Sequence, residues 1–163
     1  MGFFGNIFAG RTDSIPAVCD LDLNRYLGTW YEIARMPQGF ENGLDDVTAT
    51  YSLLGEGKIQ VVNAGTKDGS RQEARAVAWV PDAGCTGELL VSFFKPFKSR
   101  YRVILLDKEN YGYAVVAGSR LSYLWILSRE PRISDELYNE LISFVSSKGF
   151  DAGRIIKVIQ RAG

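Results

Sequence analysis

Between positions 29 and 129 the chain breaks into eight short runs rich in Val, Ile, Tyr, Phe, Trp and Thr, each ending at residues that reverse the backbone. The predicted strands are 29–36, 47–54, 58–66, 72–80, 87–95, 100–107, 111–118 and 122–129. Gly55-Glu56-Gly57, Lys67-Asp68-Gly69, Pro81-Asp82-Ala83-Gly84, Lys95-Pro96-Phe97 and Gly118-Ser119 stand between them, and all favour reversal over continuation. Short turns of this kind join antiparallel neighbours.

Several runs alternate. Ile59, Val61 and Asn63 share one face against Lys58 and Gln60, and Tyr101, Val103 and Leu105 oppose Arg100 and Arg102. A long sheet with one apolar face must cover that face. With no second set of strands, the economical solution is to curl and close. The expected fold is therefore all-β, an eight-stranded antiparallel up-and-down β-barrel. Eight strands leave an interior that side chains fill or that holds one small ligand.

The period changes after the last strand. Ser134 can cap a helix near 134–148 whose first turn holds Asp135 and Glu136, with Leu137, Leu141, Phe144 and Val145 in one stripe and Lys148-Gly149 as the stop. That stripe is expected to pack against the outside of the barrel. Ile155, Ile156, Val158 and Ile159 suggest a last short strand near 155–160. The barrel domain is read as residues 19–163, with residues 1–18 as a flexible N-terminal arm.

Composition removes several functions. Lys plus Arg and Asp plus Glu both number 19, so no net field collects nucleic acid. No histidine occurs, which takes away the commonest general base and metal ligand, and two cysteines alone do not make a zinc site. No cofactor or metal is expected. Cys19 and Cys85 form either a disulfide or two buried thiols. In the arm, Phe3, Phe4, Ile7 and Phe8 have no basic residue ahead of them and end too soon for a membrane span, so no signal peptide is read there. Asn6 stands where a myristoylation pattern needs Ser or Thr.

Gly28-Thr29-Trp30 opens the first strand after Asp22-Leu23-Asn24-Arg25-Tyr26-Leu27, which reads as a turn of helix closing one barrel end. In a closed barrel the eighth strand lies beside the first and brings Arg129 over the indole of Trp30. The stretch Asp22 to Arg35, with Gly28, Trp30, Tyr31, Glu32 and Ile33, resembles the first signature of the lipocalins. Leu106-Asp107 followed by Tyr111 resembles the second, with Leu106 where Thr is usual, and Arg129 resembles the third. Tyr123-Leu124-Trp125-Ile126-Leu127-Ser128-Arg129 is similar to the bacterial lipocalin, temperature-induced lipocalin and apolipoprotein D branch. The resemblance implies a lipocalin calyx that binds fatty acids, lysophospholipids or similar apolar compounds, with the C-terminal helix outside. It also implies a cell-envelope or membrane-associated location. The lack of a visible signal or anchor cysteine points instead to the cytoplasm.

Gly28, Trp30, Asp107 and Arg129 are assigned to closing the barrel. Ligand contact is assigned by alternation to Met36, Val47, Ala49, Tyr51, Asn63, Val77, Phe93, Tyr101, Val103, Tyr123 and Trp125, with Arg75 as a candidate partner for a ligand carboxylate. The segment from Pro37 to Asp46, with Gly39, Phe40 and Gly43, is long enough to fold over the open end as a lid or to form a surface loop. The leading function is carriage of a small apolar ligand by a monomer or weak dimer, without catalysis. A thiol-dependent isomerase on the same barrel and a membrane-surface module acting through the arm are the alternatives.

Overall fold

A computed structural model describes residues 10–38 and 42–162. Eight strands form the barrel in chain order: β1 (Gly28–Arg35), β2 (Asp45–Gly55), β3 (Lys58–Lys67), β4 (Ser70–Trp79), β5 (Glu88–Ser92), β6 (Ser99–Leu106), β7 (Tyr113–Ala117) and β8 (Leu124–Ser128). Each pairs with the next, β8 returns to β1, and β1 also pairs with β2, so the sheet closes. A one-turn helix α1 (Leu23–Tyr26) precedes β1. Helix α2 (Asp135–Ser147) and a two-residue strand β9 (Ile156–Lys157) follow β8.

The turns set the register. Asp68 and Gly69 both hold positive φ between the paired residues Lys67 and Ser70, the backbone of a two-residue hairpin loop. Counting from that turn pairs Val61 with Ala76 and Asn63 with Ala74. Cross-strand partners share a face, so Ala74, Ala76 and Ala78 line the inside of β4, and Arg75 and Val77 face out.

Two apolar cores result. Inside the barrel Trp30, Tyr51, Val61, Leu89, Val103, Val116 and Leu127 pack together. Outside it, Ile33, Met36, Val115, Leu124 and Ile126 pack under Leu141 and Val145 of α2. The helix is capped by the Ser134 side chain, which accepts from the Leu137 amide, and Asp135 and Glu136 sit in its first turn, where the helix dipole favours acids.

Segments before β1 and after β9 seal the barrel. Residues 10–18 are not a loose arm. Thr12 is buried with its hydroxyl donating to the Gly118 carbonyl, Ile15 joins the outer core, and the Val18 amide donates to Val103 at 2.8 Å. The expectation of flexibility overlooked the apolar Ile15 and the tether at Cys19; residues 1–9, with Phe3, Phe4, Ile7 and Phe8, lie outside the described residues. β1 and β2 pair only from Gly28 to Tyr31 and then diverge. The chain beyond β9 fills that seam. Val158 donates to Ile33, Asp46 donates to Ile159, and the Gln160 amide donates to both the Glu32 and Val47 carbonyls.

Candidate functional site

One end of the barrel is shut by aromatic and cationic side chains. Gly28 holds φ +102°, and a Cβ there would press the Arg129 guanidinium at 3.2 Å. That guanidinium lies 3.9 Å from the centre of the Trp30 indole, and donates to the carbonyls of Arg25, Leu27, Thr29 and Tyr111. Trp30 is fully buried, and its ring N–H donates to Tyr26. Asp107 accepts from the Asn110 and Gly112 amides and so shapes the turn that carries Tyr111, whose hydroxyl accepts from the Asp22 amide. Every donor of Arg129 named here meets a backbone carbonyl, which makes this end a structural lid.

Above it lies a floor of tyrosines. Tyr101 shares hydrogen bonds with Tyr26 at 2.6 Å and Tyr51 at 2.8 Å. Burial pushes the Tyr26 and Tyr101 phenols well above their ordinary value, so these two stay neutral.

Over this floor the interior opens into a cavity of about 580 Å³. Val61, Val91, Val116, Trp125 and Leu127 make its apolar wall, Phe93 and Tyr123 stand at its mouth, and Lys98 and Arg120 are exposed there. A second hollow of about 410 Å³ adjoins it at Asn63, which borders both, and takes in Val47, Gly65 and Ala74. Cavities of this size, apolar with a few polar groups, are typical small-molecule sites.

The twelve residues assigned to ligand divide by depth and by face. Asn63, Phe93, Tyr101, Tyr123 and Trp125 line the main cavity, and Val47 lines the second hollow. Ala49, Tyr51 and Val103 point inward but belong to the packed floor. Met36, Arg75 and Val77 lie outside, and their assignment is corrected. Arg75 follows the hairpin register onto the outer face, where its side chain is 62% exposed and meets Glu73. Val77 shares that face, opposite Gln60. Met36 is displaced by a bulge in β1 between Glu32 and Ala34, which adds a residue against β8 and reverses the alternation beyond it. Met36 then packs in the outer core, and Arg35, opposite the inward Trp125, turns inside.

The same bulge creates a feature that alternation does not reveal. Glu32 and Arg35 are both buried inside the barrel, with Arg35 Nη1 3.4 Å from Glu32 Oε1. Glu32 lines the cavity. The segment from Pro37 to Asp46 is described only at its ends: Gln38 borders the cavity, and Gly39 and Phe40 lie outside the described residues.

Cys19 and Cys85 are joined in a disulfide. Neither offers the thiolate that an isomerase of the kind considered needs. Among the described residues, no group of three or more His, Cys, Asp or Glu is placed to hold a metal ion, and no helix is long and apolar enough to cross a membrane.

Residues 21–160 match the family model of the lipocalin-like domain. The outer membrane lipoprotein Blc of Vibrio cholerae is 42% identical, over 93% of this chain and 90% of that protein. The protein of the same name from Escherichia coli is 46% identical, over 90% of this chain and 83% of its own length. Among solved structures, insecticyanin from the tobacco hornworm Manduca sexta superimposes with a TM-score of 0.74 at 23% identity, covering 92% of this chain and 86% of its own, a likeness of fold.

Proposed function

The chain belongs to the lipocalin-like family, and from that premise we propose that it carries a fatty acid, a lysophospholipid or a similar apolar molecule in the barrel cavity, as a carrier and not an enzyme. Binding or transport of a small hydrophobic molecule is what the family and its fold support at the coarser level. The finer reading rests on one observation, the polarity gradient of the cavity. Its wall is built from Val61, Val91, Val116 and Leu127, and its mouth carries the exposed cations Lys98 and Arg120. An acyl tail entering first buries itself against the wall and leaves a carboxylate or phosphate beside those cations.

Trp125 on the wall makes the test direct. Titration with a spin-labelled fatty acid is expected to quench tryptophan fluorescence saturably, and unlabelled fatty acid or lysophospholipid should compete. The reading fails if quenching does not saturate, or if neither competitor reverses it.

A further inference from the structure

We propose that the open mouth of the barrel docks on an anionic lipid bilayer through the hairpin tip between β5 and β6. Phe94 is 78% exposed and Phe97 75%, the two most exposed large apolar side chains among the described residues. They are not on a loose loop. The Phe97 amide donates to the Phe94 carbonyl at 2.8 Å, and the Ser92 hydroxyl donates to the Phe97 carbonyl at 2.6 Å, so a closed turn holds both rings outward. Phe93 and Tyr123, exposed at the same rim, extend the apolar surface to the cavity edge.

Charge selects the partner. From Leu89 to Leu106 there is no Asp or Glu, but there are Lys95, Lys98, Arg100 and Arg102. Arg100 and Arg102 are engaged with Glu88, and Arg100 also with Asp13. Lys95 and Lys98 remain exposed beside the two phenylalanines, with Arg120 across the mouth, and none of the three has an ion-pair partner among the described residues. A protruding tip with aromatic rings between cations suits a lipid interface, where rings sit at headgroup depth and Lys and Arg meet anionic lipid. Leu53 and Leu54, exposed at the opposite end of the barrel, adjoin Glu56 and lack such a cluster. Docking through β5–β6 would set the cavity entrance against the bilayer, and this holds whatever molecule the cavity carries.

The test is co-sedimentation of the full chain with vesicles of phosphatidylcholine and phosphatidylglycerol, compared with phosphatidylcholine alone. The chain is expected to partition onto the anionic vesicles. Phe94→Ser/Phe97→Ser should lower partitioning at least about ten-fold, and Lys95→Gln/Lys98→Gln about five-fold per charge removed. Fatty-acid quenching in vesicle-free solution should be unchanged in the phenylalanine variant, since neither ring lines the cavity. Wild-type partitioning in the phenylalanine variant would overturn the proposal, as would no preference for anionic vesicles. A concentration-dependent dimer abolished by the same variant, with no vesicle binding, would assign the surface to a second copy of the chain and also overturn it. Vesicle docking without fatty-acid quenching would leave the docking proposal standing and remove the cargo reading instead.

Discussion

Single side chains show which parts of this barrel a sequence discloses. Trp30 and Arg129 are readable because the first and eighth strands adjoin in a closed barrel, and the structure stacks the guanidinium over the indole at 3.9 Å. Arg35 is not readable as the buried partner of Glu32, because its placement depends on one extra residue in β1 beyond Glu32. Asp13 is another position whose role needs coordinates. It accepts from Arg11 and from Arg100 at 2.6 Å each, and these bonds hold its carboxyl at about 2, against an ordinary 3.8. The folded chain therefore takes up the Asp13 proton at lower pH than the unfolded chain. The contribution to stability is present above about pH 4 and lost as pH falls through about 2. Glu88 shifts in the same direction, because hydrogen bonds from Arg102 and Arg100 outweigh the burial that opposes them. Urea unfolding followed from neutral to acid pH should show Asp13→Asn with a shallower loss of stability below about pH 4 than the wild type. Parallel pH profiles for the two proteins would refute this role for Asp13.

At the scale of elements, the strand count, the helix and its Ser134 cap follow from turn chemistry and period, whereas alternation alone misreads the inner face of β4 and the end of β1. The β4 error had a remedy within the chain. Asp68-Gly69 is a two-residue turn signal, and a fixed turn with Val61 inward forces Ala76 inward and Arg75 out. Larger side chains at Val77 and Trp79 drew the dry face to the wrong parity, whereas small alanines line the interior. No such rule locates the β1 bulge. The docked segment 10–18 was also misjudged, because its contacts are mostly backbone bonds. Its tightest point is at Gly87, where an added Cβ would collide with the Val18 carbonyl. Gly87 also accepts from the Val103 amide, and Val103 accepts from Val18. Gly87→Ala is therefore expected to lift this segment from the sheet edge while the disulfide keeps it attached. Hydrogen exchange should speed up at the Val18 and Val103 amides and stay slow in β2 and β3. Unchanged exchange at Val18 would show that the sheet absorbs the methyl without releasing the strap.

Across the whole molecule, stability and binding are divided between the two ends of one interior. The shut end is filled by Trp30, Tyr26 and Tyr51, and the other half encloses the cavity. A core obeys a packing rule: removing volume leaves a void whose lining loses contacts. A hollow obeys the opposite rule, since added volume meets little until a ligand must share the space. Trp30→Ala should accordingly cost about 3–5 kcal/mol of unfolding free energy, and its folded fraction should bind the spin-labelled fatty acid as the wild type does. Asn63→Trp, at the junction of the two hollows, should leave the unfolding midpoint nearly unchanged and weaken fatty-acid binding at least about ten-fold, the loss expected when a bulky side chain takes the ligand's place. Arg129→Lys, with no planar fork to span four carbonyls, should fall with Trp30→Ala. Denaturation and quenching measured on the same samples check the division. If Asn63→Trp binds normally, the ligand does not occupy the junction. If Trp30→Ala loses affinity in its folded fraction, the shut end shapes the cavity as well as closing it, and the two ends are energetically one unit.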